Sequence, residues 1–278
     1  MVKKVTEEIR NGIIITIFST ASAVGKTLLS INMAAELANN GYQVCIADLD
    51  LQFGDVCNYL QLSPQQTIFA AQQAVAQNTA GSFELDQYLT SYRCGTTAFS
   101  VLAAPLKLEE AYNVSTPAVT SVLNELRKQY DYIVLDTTAA FSDLNLAIMD
   151  ISTIITFVGI VDFIPTIKNM KVGYDTMRSI GYEKNKIRMI LNRSNSKTLI
   201  ELQDVEQLLE EHFYHVLPND FATAIASLHN GIPLVACTEK TGLSRSIQEL
   251  VAKYTNRLPA DGEQEKASLS AWMKRIFT

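Results

Sequence analysis

The sequence predicts an α/β protein in three layers, with a doubly wound, mostly parallel sheet between two layers of helices. The first observation is a series of short apolar segments that are rich in β-branched residues. The second is that longer segments with helical spacing separate them. Alternating strands and helices are typical of βαβ units, because parallel strands require crossover connections.

The elements can be assigned in chain order. The predicted strands are Ile13–Phe18, 44–47, 99–103, 132–135, 154–158 and Ile187–Leu191. The clearest predicted helices are 28–39, 117–129, 165–180 and 199–210. The polar segment LPADGEQEK, 258–266, is typical of a linker. We therefore predict one domain over 1–257, a linker over 258–266 and a short amphipathic helix over 267–278.

Composition excludes several classes of protein. The 278 residues suffice for a full core, and 47% hydrophobic with 19% charged residues exclude a disordered chain. The 23 Lys and Arg against 29 Asp and Glu give a net charge of −6. This balance disfavours a protein that binds nucleic acid through a general positive field.

The cysteines and the N-terminus indicate the compartment. Four cysteines lack the paired spacing of a metal or disulfide framework, so we expect buried thiols in a reducing cytosol: Cys45, Cys57, Cys94 and Cys237. The N-terminus has acidic residues where a signal peptide would be apolar. No apolar run approaches the roughly 20 residues of a membrane span. We expect a cytoplasmic protein, or one peripheral to the inner face of the cell membrane.

The segment STASAVGKT, 19–27, follows the first predicted strand and precedes a helix. A small-residue loop at a helix N-terminus presents backbone N–H groups to a phosphate chain. Gly25 permits close backbone approach, Lys26 can reach the phosphates, and Thr27 can bind Mg²⁺. The strict P-loop pattern fails at its first glycine, where Thr20 stands. We predict a nucleotide-binding site here.

Carboxylates follow two other strands. Asp48 and Asp50 come after the second predicted strand, and Asp136 ends the apolar segment YDYIVLD. Ligands of open α/β sheets bind at the carboxyl ends of the strands. Each aspartate alone could be a turn residue at a strand end. Together, after the GKT loop, they predict a site that holds Mg²⁺ and positions water.

These motifs together resemble a known family. The order A-S-A-V-G-K-T, D-L-D-L-Q-F-G-D, Y-D-Y-I-V-L-D, I-L-N-R, L-P-N-D and G-I-P, over 13–254, is similar to the deviant-Walker-A ATPases related to MinD and ParA. The runs D-L-D-L-Q-F-G-D and L-P-N-D-F-A-T-A-I-A-S-L-H-N-G-I-P look most like the TadZ/CpaE branch, which helps assemble type IVb (Tad/Flp) pili. The resemblance implies a P-loop NTPase fold that binds ATP or ADP with Mg²⁺.

The resemblance also implies roles for the phosphate site. Lys26 and Thr27 would bind phosphate and Mg²⁺, and Asp50 would orient or activate the attacking water. Asp48 would support the metal, with Asp50 beside it, and Asp136 would hold Mg²⁺ through a water. We therefore predict Asp50 and Lys26 as the catalytic pair.

The nucleotide itself would contact a larger set. Asn192 and the loop 218–220 would recognise the adenine edge, although the segment around Asn192 could also be a plain strand end. The predicted nucleotide-binding residues are Ser22, Ala23, Val24, Gly25, Lys26, Thr27, Leu28, Asn192, Arg193, Pro218, Asn219 and Asp220.

Two motifs depart from the family pattern. The deviant motif is K-G-G-x-G-K-[ST], and here Ala21 stands at the signature lysine while Ser22 and Ala23 replace the two glycines. In the family that lysine reaches the partner subunit's phosphates across an ATP-sandwich dimer. We expect ATP binding to survive, hydrolysis to be slow, and ATP to hold a homodimer together. The segment 137–140 also replaces the usual proline-rich switch.

The resemblance predicts an ATP-dependent dimerising switch that localises or assembles a pilus or secretion apparatus. The alternatives are a MinD- or flagellar-number-type positioning ATPase at the membrane, and a nucleotide-bound scaffold without hydrolysis. A ParA-type DNA-partition protein is disfavoured by the net charge. Only twelve residues precede the first predicted strand, so we expect no receiver-like domain of the pilus branch in this chain.

Three further patterns have two readings each. The spacing of His212 and His215 points them to opposite faces of a strand, which disfavours a metal site. The segment 168–197 has eight basic and two acidic residues, which form either a solvated face or a lipid or nucleic-acid contact. In 267–278 an apolar stripe flanked by cations fits either an anionic membrane or a protein surface. The stripe and its cations are Leu269, Trp272, Met273, Ile276, Phe277, Lys266, Lys274 and Arg275.

Overall fold

Eight strands form one sheet in a computed structural model that describes residues 11–77, 84–194 and 200–257. The strands are β1 Ile13–Phe18, β2 Val44–Asp48, β3 Thr90–Cys94, β4 Thr97–Leu102, β5 Tyr132–Asp136, β6 Ile154–Gly159, β7 Ile187–Leu191 and β8 His215–Val216. Their order across the sheet is β3-β4-β2-β5-β1-β6-β7-β8. Neighbouring strands are parallel except β3 and β4, which are antiparallel.

The helices within these ranges connect the strands across both faces. They are α1 Lys26–Asn39, α2 Val56–Tyr59, α3 Ile68–Gln77, α4 Leu108–Tyr112, α5 Thr116–Gln129, α6 Asp143–Ile151, α7 Ile164–Ser179, α8 Leu202–Leu209, α9 Phe221–Asn230 and α10 Gly242–Thr255. Short 3₁₀ turns lie at Leu85–Tyr88 and Leu234–Ala236.

The alternation of side chains along the central strands builds the two halves of the core. Ile15 and Ile17 of β1 pack with α1 and α10 on one face of the sheet. Neighbouring Ile14 packs on the other face, with α3, α5 and α6. Phe18 lies on that second face too, with α7 and α8. Both faces are covered, so the central strands are apolar throughout. The predicted three-layer, mostly parallel architecture is confirmed.

Two strands were not predicted from the sequence. The segment TSYRC of β3 pairs with β4 through a tight turn, in which Gly95 has a φ of 57°. It is an edge strand with mixed polar and apolar residues, so it lacks the apolar run of the central strands. Strand β8 has only two residues and pairs with the end of β7.

Two expectations about single residues need correction. Of the four cysteines only Cys45 is buried; the other three are partly exposed, and all four thiols are free. His212 precedes β8 rather than belonging to a strand, and its Nδ1 lies 2.8 Å from Glu206 Oε2. His215 is buried, and its Nε2 contacts the Ser246 carbonyl oxygen at 2.8 Å.

The predicted linker and C-terminal helix, 258–278, lie outside the described residues. Among the helices that are described, none has both the length and the apolar character needed to cross a bilayer.

Candidate functional site

The loop between β1 and α1 has the backbone form of an anion-binding loop. Gly25 precedes the helix with a φ of 97°, and no side chain caps this helix N-terminus. The first N–H groups of α1 therefore remain available to a ligand. A side chain at Gly25 would also collide with its neighbour, because a Cβ there would lie 2.6 Å from Asn192 Nδ2.

The first turn of α1 is tied to the end of β5 through one carboxylate. Thr27 Oγ1 donates to Asp136 Oδ2 at 2.7 Å, and Ser30 Oγ lies 2.9 Å from Asp136 Oδ1. Asp136 is 2% exposed. Ser30 was missed by the sequence analysis, although its spacing of one helical turn from Thr27 was a usable signal. The phosphate loop and the predicted Mg²⁺ residue thus meet directly.

A second carboxylate lies beside Asp136. Asp48 ends β2 and is aligned with Asp136 across the parallel pair β2–β5. Its oxygens accept hydrogen bonds from the backbone N–H groups of Asp50, at 3.2 Å, and Val56, at 3.1 Å. Gly54 must lack a side chain, because a Cβ there would lie 2.6 Å from Asp48 Oδ2. The loop after β2 is therefore folded around Asp48.

The electrostatics of this cluster favour neutralisation by a cation. Burial raises the pKa of Asp136 to about 6, although hydrogen bonds from Thr27 and Ser30 oppose this shift. Burial and the charge of Asp136 raise the pKa of Asp48 well above its usual range. Burial lowers the pKa of Lys26, against the attraction of Asp136 and Asp50. These shifts follow from the burial of Asp48 and Asp136 close to each other and to Lys26.

Asp50 occupies the turn after β2. It is partly exposed, and its Oδ1 accepts a hydrogen bond from the Phe53 backbone N–H at 3.2 Å. The predicted catalytic residues Asp50 and Lys26 are thus both partly exposed at this edge of the sheet.

The donor set fits Mg²⁺. Asp48, Asp50 and Asp136 offer hard oxygen ligands at the carboxyl ends of β2 and β5, and Thr27 offers another from the first turn of α1. Among the described residues, no three His, Cys, Asp or Glu side chains are grouped to hold a metal by themselves. Mg²⁺ bound with a nucleotide needs no such group, because it keeps several waters and uses one or two side chains plus phosphate oxygens.

A cavity of about 490 Å³ opens beside the phosphate loop. It brings together eight of the predicted nucleotide-binding residues: Gly25, Thr27, Leu28, Asn192, Arg193, Pro218, Asn219 and Asp220. Its other walls were not predicted, namely Asp55, Asn58, Tyr59, Phe221, Ala224, Ile225, Leu228 and Leu243. The apolar run FATAIASL of α9 was the signal available for that wall.

Two predicted base-contacting residues already have partners in the protein. Asp220 Oδ1 caps α9 by accepting from the Thr223 N–H at 3.1 Å. Asn192 Nδ2 donates to the Val24 carbonyl oxygen at 2.8 Å, and Asn192 Oδ1 accepts from the Arg193 N–H at 2.9 Å. These bonds fix both side chains at the cavity wall.

The residues that depart from the family motif lie in the loop after β1 and in the segment after β5. Ala21 is partly buried against the core, whereas Ser22 and Ala23 are exposed, and Ala23 has a φ of 58°. Thr20 Oγ1 is buried and finds no hydrogen-bond partner within the described part of the chain. In the segment 137–140, Asn145 Nδ2 donates to the Ala140 carbonyl oxygen at 2.7 Å, which anchors this loop to α6.

Two of the eight basic residues in 168–197, Lys171 and Lys184, form ion pairs with acidic residues that follow α8. Lys171 Nζ lies 3.1 Å from both Asp175 Oδ1 and Glu210 Oε2. Lys184 Nζ lies 2.8 Å from Glu211 Oε2. Glu210 and Glu211 lie outside the segment 168–197, so the net charge around these lysines is lower than the composition of that segment indicates. This arrangement favours a solvated face over a lipid or nucleic-acid contact.

The strand–loop–helix of β1 and α1, with a buried aspartate at the end of β5, defines the class: a P-loop nucleotide-binding domain on a doubly wound sheet. Residues 15–234 match the family model described as the CobQ/CobB/MinD/ParA nucleotide binding domain. The chain belongs to this family.

Individual proteins agree with this assignment. The chain is 21% identical over 248 residues to the septum site-determining protein MinD of Thermotoga maritima, a match over 87% of this chain and 88% of that protein. A ParA family ATPase from Chlorobium tepidum has a similar fold, with a TM-score of 0.78 at 18% identity over 88% of this chain and 99% of the other. MinD of Pyrococcus horikoshii, solved with Mg-ADP, has a TM-score of 0.74 at 18% identity, and the match covers 87% of this chain and 96% of the other.

Proposed function

We propose that this protein binds ATP with Mg²⁺ and acts as a dimerising switch with slow ATP hydrolysis. The observation that carries the proposal is the Thr27–Asp136 hydrogen bond of 2.7 Å, in which Thr27 also lines the 490 Å³ cavity. It joins the phosphate loop to a buried carboxylate where a nucleotide-bound cation would lie. The Mg-ADP bound by the Pyrococcus horikoshii relative supports the same ligand here.

Each side chain has a role in this proposal. Thr27 would hold Mg²⁺, with Asp136 holding it through a water and Asp48 in support, and the bound cation would supply positive charge beside the phosphates. Lys26 contributes positive charge from the first residue of α1. Asp50 orients the attacking water, because it is the carboxylate of this cluster that solvent can reach.

Hydrolysis is slow in this proposal because Ala21 stands where the family has a lysine. An alanine methyl group cannot stabilise charge on a partner's phosphates. Eight of the twelve predicted nucleotide-binding residues line one cavity, which supports ATP binding without that lysine. ATP then acts mainly to hold two copies together, and the loops after Asp50 and Asp136 change with the bound nucleotide.

Light scattering tests this proposal when the mass is followed for hours after addition of ATP and Mg²⁺, with ADP assayed in the same sample. We expect a dimer that outlasts several minutes, with ADP accumulating slowly. The variant Lys26→Ala should stay monomeric. A wild-type protein that binds no ATP by calorimetry would overturn the proposal. Fast turnover would overturn its slow-ATPase part.

We further propose that the switch positions a type IVb (Tad/Flp) pilus or secretion apparatus. The runs D-L-D-L-Q-F-G-D and L-P-N-D support this role, and they form the loop around Asp48 and the entry to α9. Genes for a secretion ATPase and prepilins next to this gene would support the assignment. Neighbouring genes for division or flagellar proteins would overturn it.

A MinD-type positioning ATPase at the membrane is the second candidate. The match to MinD of Thermotoga maritima favours it, as does the apolar stripe of 267–278. ATP-dependent binding to anionic liposomes, lost on removal of 268–278, would favour this candidate. ATP-dependent retention on duplex DNA with a steep dependence on salt would instead indicate a partition protein.

A further inference from the structure

We propose that Arg193 is a positioning residue that holds the phosphate loop in its binding conformation. Its Nη2 donates to the Ala23 carbonyl oxygen at 2.9 Å, across 170 positions of sequence. This inference rests on the proposed function, since it concerns how the same loop is prepared for phosphate.

Arg193 acts next to a second hydrogen bond of the same kind. Asn192 Nδ2 donates to the carbonyl oxygen of Val24. Two neighbouring residues directly after β7 therefore hold two neighbouring carbonyl groups of the loop. Because both carbonyl groups are hydrogen-bonded to 192–193, the backbone of the loop is held in one conformation as it enters Gly25 and α1. The hydrogen bond from the backbone N–H of Arg193 to Asn192 Oδ1, at 2.9 Å, ties the Asn192 side chain to the Arg193 backbone, so the two residues act as one unit.

The loop needs this support because of its sequence. Ala23 has a φ of 58°, a left-handed conformation that is unfavourable for a residue with a Cβ. The family motif has glycine at this position, and glycine adopts the conformation freely. A hydrogen bond from a charged donor offsets the conformational cost at Ala23. Arg193 itself has a φ of 57°, so its own backbone is held in an uncommon conformation to present the side chain.

The unit is anchored to the sheet and borders the cavity. The Asn192 N–H donates to the Gly159 carbonyl oxygen at 2.8 Å, and the Ser194 N–H donates to that of Leu217 at 3.0 Å. Both Asn192 and Arg193 line the cavity beside Pro218 and Asn219. The base-side wall and the phosphate loop are therefore one connected structure, and a nucleotide that contacts the wall finds the loop already formed.

The direct test is hydrogen exchange of the nucleotide-free protein, wild type against Arg193→Met. We expect the peptide covering 19–28 to exchange about tenfold faster in the variant, the effect of losing one charge-assisted hydrogen bond. Exchange of the peptide covering β2 should change less, and the unfolding midpoint should fall only slightly. The control Arg93→Met removes an exposed arginine from the distant edge strand β3 and should leave 19–28 unchanged. Unchanged exchange at 19–28 in Arg193→Met would overturn the inference.

A double-mutant cycle on ATP affinity tests the reason for the support. Arg193→Met should weaken ATP binding about tenfold, and in an Ala23→Gly background the loss should shrink to about threefold, because glycine needs less support. Equal losses in both backgrounds would assign Arg193 to direct nucleotide contact instead. A wild-type protein without ATP affinity would contradict the proposed function and leave the exchange experiment to decide this inference.

Discussion

Thr27 and Asp136 are joined by a 2.7 Å hydrogen bond across 109 positions of sequence. The bond connects the first turn of α1 to the last residue of β5. Since Thr27 also lines the nucleotide-sized cavity, one side chain touches both the carboxylate cluster and the space for the ligand. The predictions below follow from this junction and its surroundings.

Thr27→Val should abolish the effect of Mg²⁺ on ATP binding. Valine keeps the shape of threonine but lacks the hydroxyl oxygen that would bind the cation, so Mg²⁺ should strengthen ATP binding less than twofold in the variant. In the wild type we expect about tenfold or more. Calorimetry with Mg²⁺ and with EDTA measures both. Thr27→Ser keeps the hydroxyl and serves as the control, so an identical loss in Thr27→Ser would contradict the assignment.

Asp50→Asn should separate dimerisation from hydrolysis. The amide keeps the hydrogen bond to the Phe53 N–H but cannot take a proton from water, so ADP production should fall about 100-fold or more. The ATP-bound dimer should persist longer than in the wild type, as scattering would show. The exposed Asp86→Asn serves as a control. If ADP forms at the wild-type rate in Asp50→Asn, another group positions the water.

Asp136→Asn should reduce the pH dependence of stability in the nucleotide-free protein. The folded pKa of Asp136, about 6, exceeds the unfolded value of about 3.9, so the folded chain binds this proton more tightly. Its contribution is complete below pH 4 and is lost as the pH rises through 6. Between pH 4.5 and 7 the free energy of unfolding of the wild type should fall by about 2 kcal/mol relative to the variant.

Urea unfolding at several pH values measures this difference, and Asp86→Asn should follow the wild type. Parallel curves for the wild type and Asp136→Asn would show that the Asp136 carboxyl is ionised at low pH in the folded chain. The hydrogen bonds from Thr27 and Ser30 would then outweigh burial.

Gly173→Ala should displace Thr20, which lies in the loop between β1 and α1. A Cβ at Gly173, in α7, would lie 2.3 Å from Thr20 Cγ2. We expect ATP binding to weaken and the unfolding midpoint to fall, although alanine is the better helix former. Thr20→Ser removes the colliding methyl group and should restore binding in the double variant. Gly242→Ala, where a Cβ meets nothing within 4 Å, is the control. Wild-type binding in Gly173→Ala would show that Thr20 moves without consequence.

Removal of 268–278 should abolish ATP-dependent sedimentation with liposomes that contain anionic lipid. The apolar stripe and its cations provide the membrane contact in this prediction. Neutral liposomes are the control, and the truncated protein should still dimerise with ATP. Unchanged sedimentation after truncation would instead assign the segment to a protein surface.

Much of the fold was predictable from the sequence because its strands are buried on both faces. Segments such as Ile13–Phe18 are apolar at every position but one, which is typical of a central parallel strand. Strand β3 was not predicted, because it lies at the edge of the sheet and an edge strand needs no continuous apolar run. Helix α9 was not assigned from the sequence, and in the structure Ser227 is its one buried residue.

The sequence by itself determined the phosphate loop and the residue types around it, because Gly25, Lys26 and Thr27 are contiguous and their chemistry follows from their spacing. Only the tertiary structure decided which distant residues meet that loop. Asp136 reaches Thr27 because β5 lies beside β1 in the sheet, and Arg193 reaches Ala23 because β7 ends at the same edge. Such contacts depend on strand order, which is set by packing of the whole sheet and leaves no local pattern in the chain.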